Sequence, residues 1–184
     1  GERVRCDDCL TLDRPWTRGR AALLYKDNAR RLVLALKHGD RAELARPAAS
    51  WMARAAAPIL QPGMVAAPVP LHRLRLFRRR FNQAALLAHG IARETGLELC
   101  PDLLLRRRVT EVQDGKGVEA RFVNMSGAIT AHPRRQARLA GRHVLLVDDV
   151  MTSGATLAAA TEACLEAGAA AVSVLVLARV AKAS

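Results

Sequence analysis

Aromatic residues are scarce in this chain: two tryptophans, one tyrosine and three phenylalanines make up 3% of its 184 residues. So small a supply argues against the stacking platforms by which many proteins hold single-stranded nucleic acid. No run of eighteen apolar residues occurs, which argues against a membrane-spanning helix, and the first residues lack the pattern of a signal peptide. A soluble cytoplasmic protein without membrane insertion is expected. Neither G-x-x-x-x-G-K-[ST] nor G-x-G-x-x-G is present, so the Walker-type NTPase and dinucleotide-binding readings fall away. Lysine is rare, four residues against 25 arginines, and acidic residues number 17, leaving a net charge of +12. That excess favours anionic partners such as phosphates, nucleic acid or acidic lipid, although codon bias also produces an arginine- and alanine-rich composition.

What is present is a 51% apolar chain, long enough for one α/β domain with a sizeable core. Residues 144–147 read Val-Leu-Leu-Val without alternation, as in a strand covered on both faces of a parallel sheet. Asp148 and Asp149 follow, at the carboxyl end where ligands of open α/β sheets bind. Residues 154–167 read as an alanine-rich helix that Gly168 stops. Met151, Thr152, Ser153, Gly154, Ala155 and Thr156 therefore form the turn into its N-terminus. Such an end offers a phosphate free N–H donors and the positive pole of the helix dipole. The hydroxyls of Thr152, Ser153 and Thr156 add donors, and Gly154 permits close backbone approach. The neighbouring carboxylates suit sugar hydroxyls or a hydrated magnesium ion, so a sugar phosphate satisfies both halves. A phosphoacceptor aspartate is a rival that leaves the hydroxyl-rich turn unexplained. A purely structural strand end leaves two repelling aspartates unexplained.

Elsewhere, 21–25 is a strand candidate, and Asn28 can cap a helix with apolar residues at 32, 33 and 36. Lys37, His38 and Gly39 close it, the basic end matching the helix dipole. Residues 43–57 read as a second helix, buried through Leu44, Trp51 and Met52 and ended by Pro58 and Pro62. Residues 64–69 are a strong strand, followed by five arginines between 73 and 80. Residues 81–94 then read as a helix with Ala84, Leu87, Ala88 and Ile91 on one face and Gly96 as terminator. Cations are disfavoured at a helix start unless an anion is near. The arginine run thus points to a bound polyanion, and pyrophosphate fits because guanidinium forks grip phosphate oxygens bidentately; a solvated helix start is the alternative. Residues 108–126 form a polar loop with a short helix at 118–124, either folding over a substrate or disordered. With 171–178 as a closing apolar strand, strands alternate with helices, which predicts an α/β fold with a mostly parallel central sheet flanked by helices.

Cys6 and Cys9 form a C-x-x-C, half of what a tetrahedral zinc site needs. The expected reading is half of a zinc ribbon whose other ligands lie before Gly1, with redox activity as the runner-up. Cys100 and Cys164 lie in apolar contexts and are expected to pack as small hydrophobes.

The string VLLVDDVMTSGAT from Val144 to Thr156 resembles the 5-phosphoribosyl 1-pyrophosphate (PRPP) motif of type I phosphoribosyltransferases. The resemblance implies that Asp148 and Asp149 contact the ribose hydroxyls and that Met151 to Thr156 wrap the 5′-phosphate. Pro68-Val-Pro-Leu-His72 and Arg79-x-Phe-Asn-Gln-Ala84, with Arg108, Thr110, Gln113, Arg121, Asn124, Gly127 and Ala128, are similar to the ComF-type competence proteins, a phosphoribosyltransferase-like branch with an N-terminal zinc ribbon. Two positions depart from that pattern: Arg80 in place of a glycine and Lys116 in place of a leucine. The implied organisation is a zinc-ribbon remnant over 1–20 and a phosphoribosyltransferase-like domain over 21–184. Val69, Pro70, Leu71, His72, Arg73 and Arg79 are expected to hold pyrophosphate, and Cys6 and Cys9 to bind Zn2+ in a longer chain.

The implied chemistry is Mg2+-dependent displacement of pyrophosphate from carbon 1 of PRPP by an unidentified nitrogen acceptor. The implied role is in DNA uptake and natural transformation, beside a helicase and recombination-mediator proteins. The alternative is a non-catalytic partner that binds a nucleotide or single-stranded DNA. A homodimer is left open.

Overall fold

The computed structural model describes residues 13–38, 41–71, 81–108 and 118–181. Its centre is a five-stranded, all-parallel sheet in the order β1-β7-β6-β2-β3. The strands are β1 (Arg18–Leu24), β2 (Val65–Pro68), β3 (Glu98–Leu99), β6 (His143–Met151) and β7 (Ala171–Arg179). Helices α1 (Asp27–His38) and α2 (Ala45–Ala56) lie between β1 and β2, α3 (Gln83–Thr95) between β2 and β3, and α5 (Ala155–Glu166) between β6 and β7. A second, two-stranded antiparallel sheet joins β4 (Leu104–Arg106) to β5 (Ile129–Ala131), with α4 (Val118–Met125) between them in sequence.

The unbroken apolar runs of β6 and β7 follow from burial on both faces. Val144, Leu146, Val172, Val174 and Val176 pack with α5, the β4–β5 pair and Trp16. On the opposite face Leu145, Val147, Leu175 and Leu177 meet α2, α3 and the Val33 and Leu36 stripe of α1. This is the expected architecture of a parallel sheet with helices on both sides. Cys100 and Cys164 are buried free thiols, as expected.

Several boundaries differ from the sequence expectations. β1 starts at Arg18 rather than 21, so residue 20 falls inside it; Trp16 is already in the core, and the Thr17 N–H donates to the Val172 carbonyl at 2.8 Å. Trp51 was expected in the core but is 40% exposed, because the buried stripe of α2 is Ala45, Ala48, Ala49, Met52 and Ala56. That alanine stripe lets α3 come close at Gly90, where a side chain would collide with Ala49. α3 ends as expected at Gly96, in the left-handed region at φ 70°, which only glycine adopts without strain. Among the described residues no helix is long and apolar enough to cross a membrane.

Candidate functional site

β2 leads through α3 towards one edge of the sheet, while β6 leads through α5 towards the other. The carboxyl ends of β2 and β6 therefore flank a topological switch point, where open α/β sheets bind ligands. β2 pairs with β6 only from Val144 to Val147, while β6 continues beside β7 through Asp148, Val150 and Met151. The sequence placed Asp148 and Asp149 beyond the strand and Met151 in the phosphate turn. In the structure all three belong to β6, because β7 still supplies backbone partners, and the turn narrows to Thr152, Ser153 and Gly154 before α5.

The two aspartates face different surroundings. Asp149 is only 8% exposed, and its Oδ2 lies 3.2 Å from the Lys37 Nζ. Asp148 keeps part of its surface in solvent, and its Oδ1 accepts the Asp149 N–H at 2.8 Å. Protein packed around the Asp148 carboxyl, with the Asp149 charge adding to it, raises its pKa from 3.8 to about 8; Lys37 and Arg106 pull the other way. An acid that prefers its proton until a cation arrives is suited to a cationic or hydroxyl-bearing ligand.

Lys37 was expected only to complement the dipole of α1; the structure carries it to Asp149. Its signal in the sequence was a lysine at a helix end in a chain that otherwise uses arginine for 25 of 29 basic positions. The Phe-Asn-Gln string also acquires a physical role. Asn82 caps α3 by accepting the Ala84 N–H at 3.1 Å, and its Nδ2 donates to the Val69 carbonyl at 3.1 Å. Buried Gln83 donates to the Leu36 carbonyl at 3.2 Å, anchoring the end of α1 beside Lys37. Two adjacent polar residues thus fix both the turn after β2 and the helix that carries the cation.

Val69 and Pro70 are buried in that turn and Leu71 is half-buried; the Val69 N–H donates to the Val147 carbonyl at 2.9 Å, one residue before the aspartates. Across the crevice Gly154 has φ 83° and precedes α5 as its cap residue. Thr152 is exposed, Ser153 and Thr156 are half-exposed, and Ala155 is buried with its N–H 3.4 Å from the Ser153 Oγ. The structure therefore brings the acid pair, the turn after β2 and the 152–156 turn to one end of the sheet. His72, Arg73, Arg79, Cys6 and Cys9 lie outside the described residues. Among the described residues no group of three or more acidic, histidine or cysteine side chains gathers to hold a metal. Two carboxylates do fit a hydrated Mg2+ that arrives on phosphate oxygens, since this ion keeps several waters and takes one or two carboxylates.

With this geometry in place, comparison with known proteins defines the class: residues 83–184 match the phosphoribosyl transferase domain, and the chain belongs to that family. Within it the chain is 31% identical over 180 residues to the DNA utilization protein YhgH of Escherichia coli K12, a match covering 95% of this chain and 77% of that protein. It is also 34% identical over 90 residues to competence protein F of Haemophilus influenzae, covering 49% of this chain and 39% of that one. Among solved structures, the allosteric regulatory enzyme of purine biosynthesis superposes with a TM-score of 0.52 at 18% identity, covering 78% of this chain and 30% of that one. The expected competence-protein relationship and parallel α/β fold are both borne out.

Proposed function

We propose that this crevice binds PRPP with Mg2+ and that the protein transfers its phosphoribosyl group to a nitrogen acceptor in the service of DNA utilization. The observation that carries the reading is the meeting, at a switch point, of the Asp148–Asp149 pair with a glycine turn entering a helix N-terminus. The carboxylates would hold the ribose hydroxyls, and the 152–156 turn the 5′-phosphate. In the transfer the bond from carbon 1 to the pyrophosphate oxygen breaks, a carbon–nitrogen bond forms and the nitrogen loses a proton. The transition state resembles an oxocarbenium ion, so rigid positioning and leaving-group stabilisation matter more than covalent attack. Mg2+, when bound, would supply neutralisation of leaving-group charge, and on that side Val69 and Pro70 would shape the turn from which Leu71 would present its backbone N–H.

A second reading, a non-catalytic partner that binds a nucleotide or single-stranded DNA, draws on the +12 net charge and on the likeness to a DNA utilization protein and a competence protein. Titration calorimetry with PRPP and Mg2+ tests the first. Micromolar binding that disappears in Asp148→Asn/Asp149→Asn, with an unchanged circular dichroism spectrum, supports it. Undiminished affinity in the double variant would sink it, and absence of wild-type binding beside salt-sensitive DNA binding would favour the second.

A further inference from the structure

Arg14 precedes β1 and takes no part in the sheet, yet its Nη1 donates to the Ser153 carbonyl at 2.7 Å. Its guanidinium carbon lies 5.2 Å from the ring centre of Trp16 and 5.7 Å from that of Phe122, so two aromatic rings from different segments contact one cation. Its Nε is sealed from solvent without a hydrogen-bond partner, and among the described residues no carboxylate pairs with it. A Cβ on Gly154 would lie 2.8 Å from the Arg14 Nη1 and 3.1 Å from Trp16. Such a Cβ would have to displace the far end of the Arg14 side chain and crowd the Trp16 ring, while the positive φ by itself already favours glycine.

We infer that Arg14 is a positioning residue for the turn that receives the 5′-phosphate; the inference rests on the reading of the crevice as a PRPP site. A carbonyl facing into an anion site repels the ligand, and in a trans peptide the C=O and the following N–H point in opposite directions. By holding the Ser153 carbonyl, Arg14 turns the Gly154 N–H away from itself, and that N–H has no acceptor among the described residues. Among the described residues no carboxylate neutralises this guanidinium beside the turn, and its charge draws a phosphate further. The Trp16 and Phe122 faces restrict its rotamers, so the turn is set before ligand arrives.

The test is calorimetry on the 184-residue chain with ribose 5-phosphate, with PRPP plus Mg2+, and with inorganic pyrophosphate. Arg14→Met is expected to weaken ribose 5-phosphate binding by about tenfold or more, leaving pyrophosphate affinity within about twofold. Arg14→Lys, which restores a cationic donor, is expected to recover most of the loss. If Arg14→Met does not fold, Arg14→Gln takes its place in the same comparison. Unchanged ribose 5-phosphate affinity in a folded Met or Gln variant overturns the inference while leaving the PRPP site standing. So does an equal loss for both ligands, or a Lys variant as weak as Met. Failure of the unaltered protein to bind either sugar phosphate overturns the site reading itself, and the inference with it.

Discussion

Gly90 lies where α3 crosses α2, and a Cβ there would sit 2.5 Å from the Ala49 Cβ. Carbon atoms rest at about 3.5–4.0 Å, and neither group can rotate away because both are fixed to the backbone. Gly90→Ala therefore has to push the helices apart by roughly 1 Å. In a free helix the same change would stabilise by about 1 kcal/mol. Because neither atom can move aside, overpacking at the upper end of the usual range, about 2–3 kcal/mol, outweighs that gain, and a net destabilisation of about 1–2 kcal/mol is expected, lowering Tm by about 2–4 °C per kcal/mol. Urea unfolding and calorimetry read this directly. Ala49→Gly alone loses about 1 kcal/mol of helix propensity, but added to Gly90→Ala it reopens the space, so the pair should couple favourably by about 1–3 kcal/mol. The same displacement reaches the site, because α3 begins with the Asn82 and Gln83 clamps. At the proposed PRPP site, affinity should fall in the single variant and return in the double one. A Gly90→Ala protein as stable as wild type, or strictly additive effects, would refute the packing argument.

Asp148 carries a raised pKa, so between about pH 4 and about pH 8 the folded state retains a proton that the unfolded state has released. Stability falls with pH wherever the folded state binds more protons. The melting temperature of Asp148→Asn should therefore be close to wild type near pH 4 and exceed it increasingly towards pH 8; a pH-independent difference would contradict the assignment. Lys37→Met removes the cation from a buried carboxylate and should destabilise the protein by about 1–3 kcal/mol at neutral pH. Combined with Asp149→Asn the loss should be smaller than the sum, read by chemical denaturation; additivity would show that the 3.2 Å pair contributes nothing.

The long apolar strands and the glycine-terminated helices could be read from the chain because burial on both faces and a left-handed stop each leave a direct mark on residue choice. Strands β3 and β5, two and three residues long, left none, since so short a segment has no periodicity to detect. The extension of β6 through Asp148 and Asp149 was invisible because it depends on backbone pairing with β7 rather than on side-chain character. Trp51 misled for another reason: hydrophobicity suggested burial, but close helix packing selected alanine for that face. Arg14 reaches the site only through tertiary folding, and no local pattern separates it from the other arginines; Lys37 stood out as a lysine in an arginine-rich chain, but nothing local said that it meets Asp149. The Phe-Asn-Gln string stood out by resemblance, yet its work of holding the Leu36 and Val69 carbonyls became apparent only when α1, α3 and β2 met.

β7 is the last described strand to be synthesised, yet it lies inside the sheet, between β1 and β6. β1, the first described strand, pairs with no other described strand: its partners run from Ser173 to Arg179. A nascent chain emerging from the ribosome can join β2 to β6, and hold the end of α1 through Gln83 of α3, while β1 still lacks its partner. Until β7 slots in, two strand edges stay open to pairing with other chains, and such late, distant pairing makes folding slow and aggregation-exposed. The placement of one strand thus leaves β1 without its described partner until nearly the whole described chain is available.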